Sequence, residues 1–448
     1  MIPHPPGDLP LVGAEIGLAA RPPAPGFSDP RVAAASQQVS ARVQALPLLK
    51  TGSPATGPGR APWPVLPAVA VLDRAAEPLL RHRATTVVEC LREVVRRYPL
   101  DPALQGFLDV PPTLRRWAFR QPLPQRLTVD LCRLDLLGDT LGTVRVLEFN
   151  ASSPGSVLLG GLLNRFWRES PAAGLLEAAG AARCRVEEPT WFADWLLAHG
   201  RSHGVADEDT RRVGLFAAPW QSRGEFGLME EQLRARGREP VTLAPGDPAS
   251  AAGVRLGYLK YVPRDVDEPA DWDTFCARVA EGGLVVPNVP AERWVAENKL
   301  CLAALSDPRF RRLFTPDQGR ILDTLVPFSR KLGDGITESE TLADRAHLVL
   351  KAPYSAWGDN VVIGAETTPQ AWRGLVLDPA RRGWLVQRRV TTGGLATERG
   401  TYFRDLTVSV LDGRVVGYGA RMSTDPVVNV AREGATTTVF SPHDLDVA

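Results

Sequence analysis

The sequence is short of several things, and each shortage excludes something. Its five cysteines (Cys90, Cys132, Cys184, Cys276 and Cys301) form no CxxC and no zinc spacing. That excludes a disulfide scaffold and a zinc module, and reduced structural thiols in a cytoplasmic protein are the expectation. The opening Met1-Ile-Pro-His-Pro-Pro6 has no basic stretch leading into an apolar run, so no secretory signal is expected. No apolar run reaches the roughly 20 residues a membrane-spanning helix needs. The formal net charge is only +1, which gives no global attraction to nucleic acid or to an anionic membrane. Any phosphate-binding charge must be local. GxGxxG, a Walker A loop and a nucleophile triad are all missing. His199 and His203 stand four apart but lack a third ligand, so a surface pair is expected.

What is present suits a sizeable folded protein. At 448 residues with 44% hydrophobic side chains, two or three domains are expected. Four segments suggest themselves. Residues 1–65 are rich in proline, with one helical stretch from Pro30 to Leu46, and read as an irregular arm. Residues 66–205 begin with helical spacing from Val71 to Tyr98, which predicts two helices. A strand hairpin follows, Arg126 to Leu137 and Thr143 to Asn150. Residues 206–288 alternate strand, helix and strand (Val213 to Pro219, Gly224 to Arg236, Pro240 to Leu243), the pattern of a Rossmann-like parallel layer. Residues 289–448 open with a predicted helix, Arg293 to Leu305, and continue in strands. The fold class is therefore α/β (α+β).

The hairpin's second strand carries the first chemical signal. In Val144-Arg-Val-Leu-Glu-Phe-Asn-Ala-Ser-Ser-Pro-Gly-Ser156, Glu148 and Asn150 are two apart and share a face. A carboxylate and an amide oxygen beside a small-residue turn suit Mg²⁺, which takes one or two carboxylates and leaves the rest of its shell to water and phosphate. A solvated strand face is the plain alternative. The second signal is Leu350-Lys-Ala-Pro-Tyr-Ser-Ala-Trp-Gly-Asp-Asn-Val-Val-Ile363. Lys351 ends a strand, and Ser355 and Gly358 lie in a loop whose small residues let backbone N–H groups approach an anion. An ordinary hairpin reads the same way. Further on, Trp384-Leu-Val-Gln-Arg388 is a strand that turns polar, able to offer groups to an adenine edge. Arg223 and Glu225 follow the strand from Val213 to Ala218, at the end where open α/β sheets place ligands. They are either substrate-binding residues or a charged helix start.

In order and in text these pieces resemble the circularly permuted ATP-grasp ligases, especially the synthetase domain of glutathionylspermidine synthase. The resemblance rests on Glu148-Phe-Asn-Ala-Ser-Ser-Pro154, Val285-Val-Pro-Asn288 with Glu297-Asn-Lys-Leu-Cys-Leu302, the loop from Lys351 to Val362, and Gly419-Ala-Arg-Met422 with Val439-Phe-Ser-Pro442. It spans roughly residues 125–442. It implies a circularly permuted ATP-grasp fold behind a Rossmann-like pre-ATP-grasp domain, with the metal strand ahead of the nucleotide lysines. By resemblance, Asp135, Glu148 and Asn150 would bind Mg²⁺, with Asp130 a weaker candidate. Arg133 would stabilise the acyl phosphate, and Arg421 would steady the transferring phosphoryl group or the acyl phosphate. Lys299, Lys351, Ser355, Gly358 and Gln387 would hold ATP. Ser152, Ser153 and Ser156 would touch substrate or make the turn. A cross-strand ion pair is the alternative for Arg133 and Asp135. The flap, Tyr354-Ser-Ala-Trp-Gly-Asp359, departs from the family's more glycine-rich text and lacks its glutamate. Ser152 replaces the usual acid after Asn150.

The expected activity is ATP- and Mg²⁺-dependent carboxylate–amine ligation on an amino acid or small peptide in specialised metabolism. A small-molecule kinase and a non-catalytic nucleotide- or peptide-binding protein are the rival classes. The expected partners are a small carboxylate and a small amine. Relatives of such ligases often form homodimers, but no interface is legible in the sequence.

Overall fold

The structure is a computed structural model of the chain. It describes residues 12–14, 30–46, 49–50, 61–62, 65–112, 115, 129–152, 154–217, 225–245, 253–260, 269–355, 358–392, 395–397, 400–425, 428 and 434–446. Three sheets of three or more strands organise them, beside a two-stranded pair of Leu49–Lys50 with Ala61–Pro62. The largest has nine strands, with the path Val12–Ala14, Val65–Leu72, Ala435–Phe440, Arg414–Ser423, Leu406–Leu411, Leu131–Leu137, Arg145–Asn150. Val65–Leu72 is parallel to both its neighbours, and the rest of that path is antiparallel. Gly400–Arg404 branches from Arg414–Ser423.

Alternation along each strand sorts side chains between two faces. In Val65–Leu72, Ala70 and Leu72 join the core under the helix Glu77–Arg97, whereas Val69 and Val71 join a second core under the helices Pro30–Gln44 and Val157–Arg168. In Leu131–Leu137, Cys132, Leu134 and Leu136 face the first core. Arg133 and Asp135 therefore emerge on the opposite face, and that face is the one turned to the site.

The helical reading of Val71 to Tyr98 is corrected. Val71 and Leu72 end a strand, and one 21-residue helix, Glu77–Arg97, replaces the two expected. Short apolar runs fit either period, and here sheet pairing with Ala435–Phe440 decides. The arm is also more integral than its proline content suggests, since Val12–Ala14 is a strand of the large sheet.

Residues 206–288 contain a three-stranded parallel sheet, ordered Glu239–Leu243, Arg212–Ala217, Leu256–Lys260. A parallel bridge from Leu256 to Val285 extends it. The third sheet has five strands in the order Gly335–Ile336, Ser329–Leu332, Leu385–Arg388, Leu348–Lys351, Val361–Ile363. One of its faces is apolar: Leu332, Leu348, Leu350 and Val386 pack with Trp372 and Val376 of the helix Pro369–Val376. The other face carries Ser329, Lys331, Lys351 and Gln387, all buried. A buried polar face needs partners, and it meets the polar face of the large sheet.

Candidate active site

The two polar faces enclose a cleft of about 260 Å³. The large sheet contributes Asp135, Glu148, Asp405 and Arg421, and the five-stranded sheet contributes Lys351 and Gln387, with Gly358 on the rim. Six residues singled out in the sequence thus line one cavity: Asp135, Glu148, Lys351, Gly358, Gln387 and Arg421.

Lys351 joins the two walls. Its ammonium donates to Gln387 Oε1 at 2.7 Å and, across the cleft, to the carbonyl of Leu147 at 2.9 Å. Gln387 is oriented in turn by donating to Ser329 Oγ at 3.3 Å. Burial pushes the Lys351 ammonium down to about 8; Glu148 partly restores it and Lys299 opposes it. Desolvation disfavours the charged form, so a phosphate arriving here would be welcomed by an otherwise under-compensated cation.

On the facing wall, register places Asp135 opposite Glu148 and Arg133 opposite Asn150. Arg133 grips Asp135 with a two-pronged pair, Nε to Oδ1 at 2.7 Å and Nη2 to Oδ2 at 2.9 Å. Arg421 Nη2 donates to Asp135 Oδ2 at 2.7 Å. Burial opposes ionisation of Asp135, but Arg133 and Arg421 override it and hold the carboxyl well below the usual range. Arg421 also donates to Asp405, from Nε at 2.7 Å and from Nη2. The four residues form a row of alternating charge: Arg133, Asp135, Arg421, Asp405.

Arg133 stands behind the cleft rather than on it. Its remaining Nη1 donates to the carbonyl of Gly155, so its N–H groups serve the loop after Asn150. Both oxygens of Asp135 accept from arginine, a poor starting point for a third metal ligand. Asn150 Nδ2 lies 3.5 Å from the Arg133 carbonyl, leaving its amide oxygen uncommitted by that contact. Glu148 Oε2 accepts from Lys299 Nζ at 2.8 Å. Glu148 and Asn150 thus supply a hard carboxylate and a hard amide oxygen, a set that fits Mg²⁺ with water and phosphate completing the shell. Among the described residues, no group of three or more His, Cys, Asp or Glu is arranged for a metal.

Lys299 does not lie inside a helix, as its spacing suggests. It falls between Pro290–Ala296 and Leu300–Ser306. Asn298 makes the break: its Oδ1 accepts from Leu300 N at 2.9 Å, and Lys299 N donates to the Pro353 carbonyl at 2.9 Å. That break lets the ammonium reach Glu148. Burial lowers the lysine's affinity for its proton, but Glu148 overrides it and raises the pKa.

The remaining candidates lie apart from the cavity. Ser152 is buried and its backbone N–H, with that of Ala151, donates to Glu297 Oε2, each at 2.8 Å. Ser156 stands at the start of the helix Val157–Arg168 with φ 66° and caps nothing with its side chain. Glu225 caps that helix instead: its Oε1 accepts from Leu158 N at 3.1 Å and Leu159 N at 3.3 Å, and its Oε2 from Lys260 Nζ at 2.8 Å. The charged-helix-start reading of Glu225 is close, although the helix it serves is another one. Ser355 Oγ makes a 3.4 Å contact with the Ala352 carbonyl and does not line the cavity, although Gly358 of the same loop does. Ser153 and Arg223 lie outside the described residues. Asp130 accepts from Asn288 N at 3.0 Å and helps hold the hairpin's start. His199 is buried, not a surface residue, and its ring lies 4.2 Å from that of His203.

Three features escaped sequence reading. Asp405 sits at the junction of Gly400–Arg404 and Leu406–Leu411, which the sequence presents as one strand. Glu297 anchors the loop after the strand Arg145–Asn150. Lys331, on the same face as Lys351, donates to the Phe107 carbonyl at 2.7 Å. A compositional signal was available for the last. Lysine is rare in this arginine-rich chain: Lys50, Lys260, Lys299, Lys331 and Lys351 are all there are. The last four sit on buried or half-buried partners, where a compact ammonium is not interchangeable with a guanidinium fork.

No protein-family model and no curated protein matches the chain. Solved structures do. The chain is similar to a glutathione synthetase-like effector from Globodera pallida in its apo form, with a TM-score of 0.55 at 11% identity over 92% of this chain and 98% of that one. A weaker likeness, TM-score 0.39 at 12% identity over 76% of this chain and 84% of the other, is to a putative γ-glutamylcysteine synthetase from Methylobacillus flagellatus. The first comparison shows a shared fold, a mixed α/β architecture like that of the glutathione synthetase-like effector. Among the described residues, no helix is long and apolar enough to cross a membrane.

Proposed function

We propose that the chain is an ATP- and Mg²⁺-dependent carboxylate–amine ligase that forms an amide bond through an acyl phosphate. One observation carries the reading. A buried lysine held by Gln387 on one sheet faces an arginine held by two aspartates on the other, across one shared cleft. The metal strand precedes both nucleotide lysines in the chain, the order of the permuted branch.

In this reading ATP lies against the five-stranded sheet, with its adenine edge near Gln387 and its phosphates toward Lys351 and Lys299. Glu148 and Asn150 would hold Mg²⁺, which supplies charge neutralisation on the phosphates when bound. Asp135 serves as the anchor of Arg133 and Arg421. A substrate carboxylate oxygen attacks the γ-phosphorus, the bond to the bridging oxygen breaks, and ADP leaves. Arg421 and Lys351 neutralise the charge that develops on the phosphoryl oxygens. An amine then attacks the acyl carbon, phosphate departs, and the amine nitrogen gives up its proton. The protein contributes positioning and electrostatics rather than a covalent nucleophile. An amino acid or small peptide as the carboxylate rests on the fold likeness, which is an analogy.

A phosphate-release screen of acid–amine pairs with ATP and Mg²⁺ tests the proposal. Phosphate release that needs both an acid and an amine is expected. Stoichiometric ADP formation with no amine requirement would replace the ligase with a small-molecule kinase.

A further inference from the structure

Arg421, toward the end of the strand Arg414–Ser423, is partly buried and lines the cleft. Among the described residues, all of its side-chain bonds run through Nε and Nη2, to Asp405 and to Asp135. Its Nη1 makes none of them and is not among the buried polar atoms left without a partner. That nitrogen is therefore the part of the guanidinium open to the cavity. Asp405 does more than pair its charge. Its Oδ1 accepts from the Arg421 backbone N–H at 2.7 Å, and its own N–H donates to the Arg421 carbonyl at 3.1 Å. One aspartate thus holds both the backbone and the side chain of the arginine. It can do so because strand pairing is interrupted at Asp405, between the strands ending at Arg404 and starting at Leu406.

A guanidinium held on one edge by a carboxylate cannot swing, so its free nitrogen points one way. We infer that Asp405 is a positioning residue that aims Arg421 Nη1 at the γ-phosphate of bound ATP. The inference rests on the ATP reading above. Asp405 touches no substrate itself and acts through Arg421. Asp135 is shared with Arg133 and sets the guanidinium's position along the row, whereas Asp405 sets its angle.

An arginine aimed at the γ-phosphate contributes to ATP binding and not to ADP binding, so the ratio of the two affinities reports its aim. The experiment is calorimetric titration of Mg-ATP and of Mg-ADP into wild type, Asp405→Asn, Arg421→Ala and the double variant, with thermal melts as a folding control. The wild type is expected to prefer ATP by about tenfold or more. Arg421→Ala removes the preference, Asp405→Asn removes most of it, and the double variant loses no more than Arg421→Ala alone, as two residues acting as one unit require. Asp405→Glu restores part of the preference. Should Asp405→Asn fail to fold, Asp405→Glu and Arg421→Lys carry the same comparison, each lowering the ratio without abolishing ADP binding. Asp405 variants that keep the full ATP preference while Arg421→Ala loses it would overturn the positioning role. An unchanged ratio in Arg421→Ala would overturn it too. A wild type that binds neither nucleotide would instead remove the ATP reading, and this inference with it.

Discussion

Lys299 donates to Glu148 across 2.8 Å, although 151 residues separate them in the chain. The lysine is buried and the carboxylate's side chain is about one quarter exposed. Each is the other's charge partner in a place where an unpaired charge is costly. The strand that would hold metal and the segment that would hold nucleotide are thus joined by one ion pair.

That pair changes what is expected of Glu148→Ala. Sequence reading alone predicts lost turnover with an intact fold. The structure adds an orphaned buried ammonium, so the variant should also lose about 3 kcal/mol of stability. Glu148→Gln should lose less, because the amide oxygen can still accept from Lys299. Urea denaturation of Glu148→Ala, Lys299→Met and the double variant checks this. The double should be more stable than the sum of the single losses implies. Additive losses would show that the pair contributes little. Mg²⁺-dependent turnover should disappear in both Glu148 variants and in Asn150→Ala.

Lys351 gives a pH dependence whose sign is set by burial. Its pKa is about 8 in the folded chain, against an ordinary 10.5. Between those values the unfolded chain binds a proton that the folded chain has released, so stability should rise with pH through that window. The drop corresponds to about 3 kcal/mol, unfavourable below pH 8 and relieved by pH 10.5. Lys351→Met should flatten the rise, as read by urea midpoints across the range. Nucleotide binding at pH 8.5 should take up a proton, seen as a buffer-dependent binding enthalpy. The uptake should vanish in the variant.

Glu225 separates a structural role from a substrate role. If its carboxylate mainly caps Val157–Arg168 and neutralises Lys260, Glu225→Ala should cost about 2 kcal/mol. Amide exchange at Leu158 and Leu159 should quicken, while Mg-ATP affinity stays within twofold. A raised KM for a substrate with unchanged stability would return Glu225 to the substrate site.

Gly161 tests how the helix Val157–Arg168 seats against Val186. A Cβ there would lie 1.7 Å from the Val186 carbonyl oxygen, a backbone atom that cannot turn aside. Gly161→Ala should force the helix Val157–Arg168 away from the turn Arg185–Glu187 and cost about 2–3 kcal/mol. Gly160→Ala, with nothing within 4 Å, should be neutral or slightly stabilising. Thermal melts of the two neighbours give the comparison directly.

Local pattern determined much of this protein. Period-two alternation marks Arg133 with Asp135, and Glu148 with Asn150, as pairs sharing a face, because a pleated strand allows nothing else. The small-residue loop after Lys351 and the strand–helix–strand order of residues 212–243 are equally local. Other features depended on contacts that no short window contains. Val71 and Leu72 fit a helix or a strand until Phe440 pairs with Val71. Lys299 fits a helix until Asn298 and Pro353 break it. Asp405 reads as one residue in a long strand; only the fold brings it to Arg421 and sets Asp135 on the arginine's other side. Side-chain type and spacing decide which face a residue occupies. Which charges meet across the cleft is decided by how two sheets pack, because an ion pair needs its partner within a few ångströms, however distant in the chain.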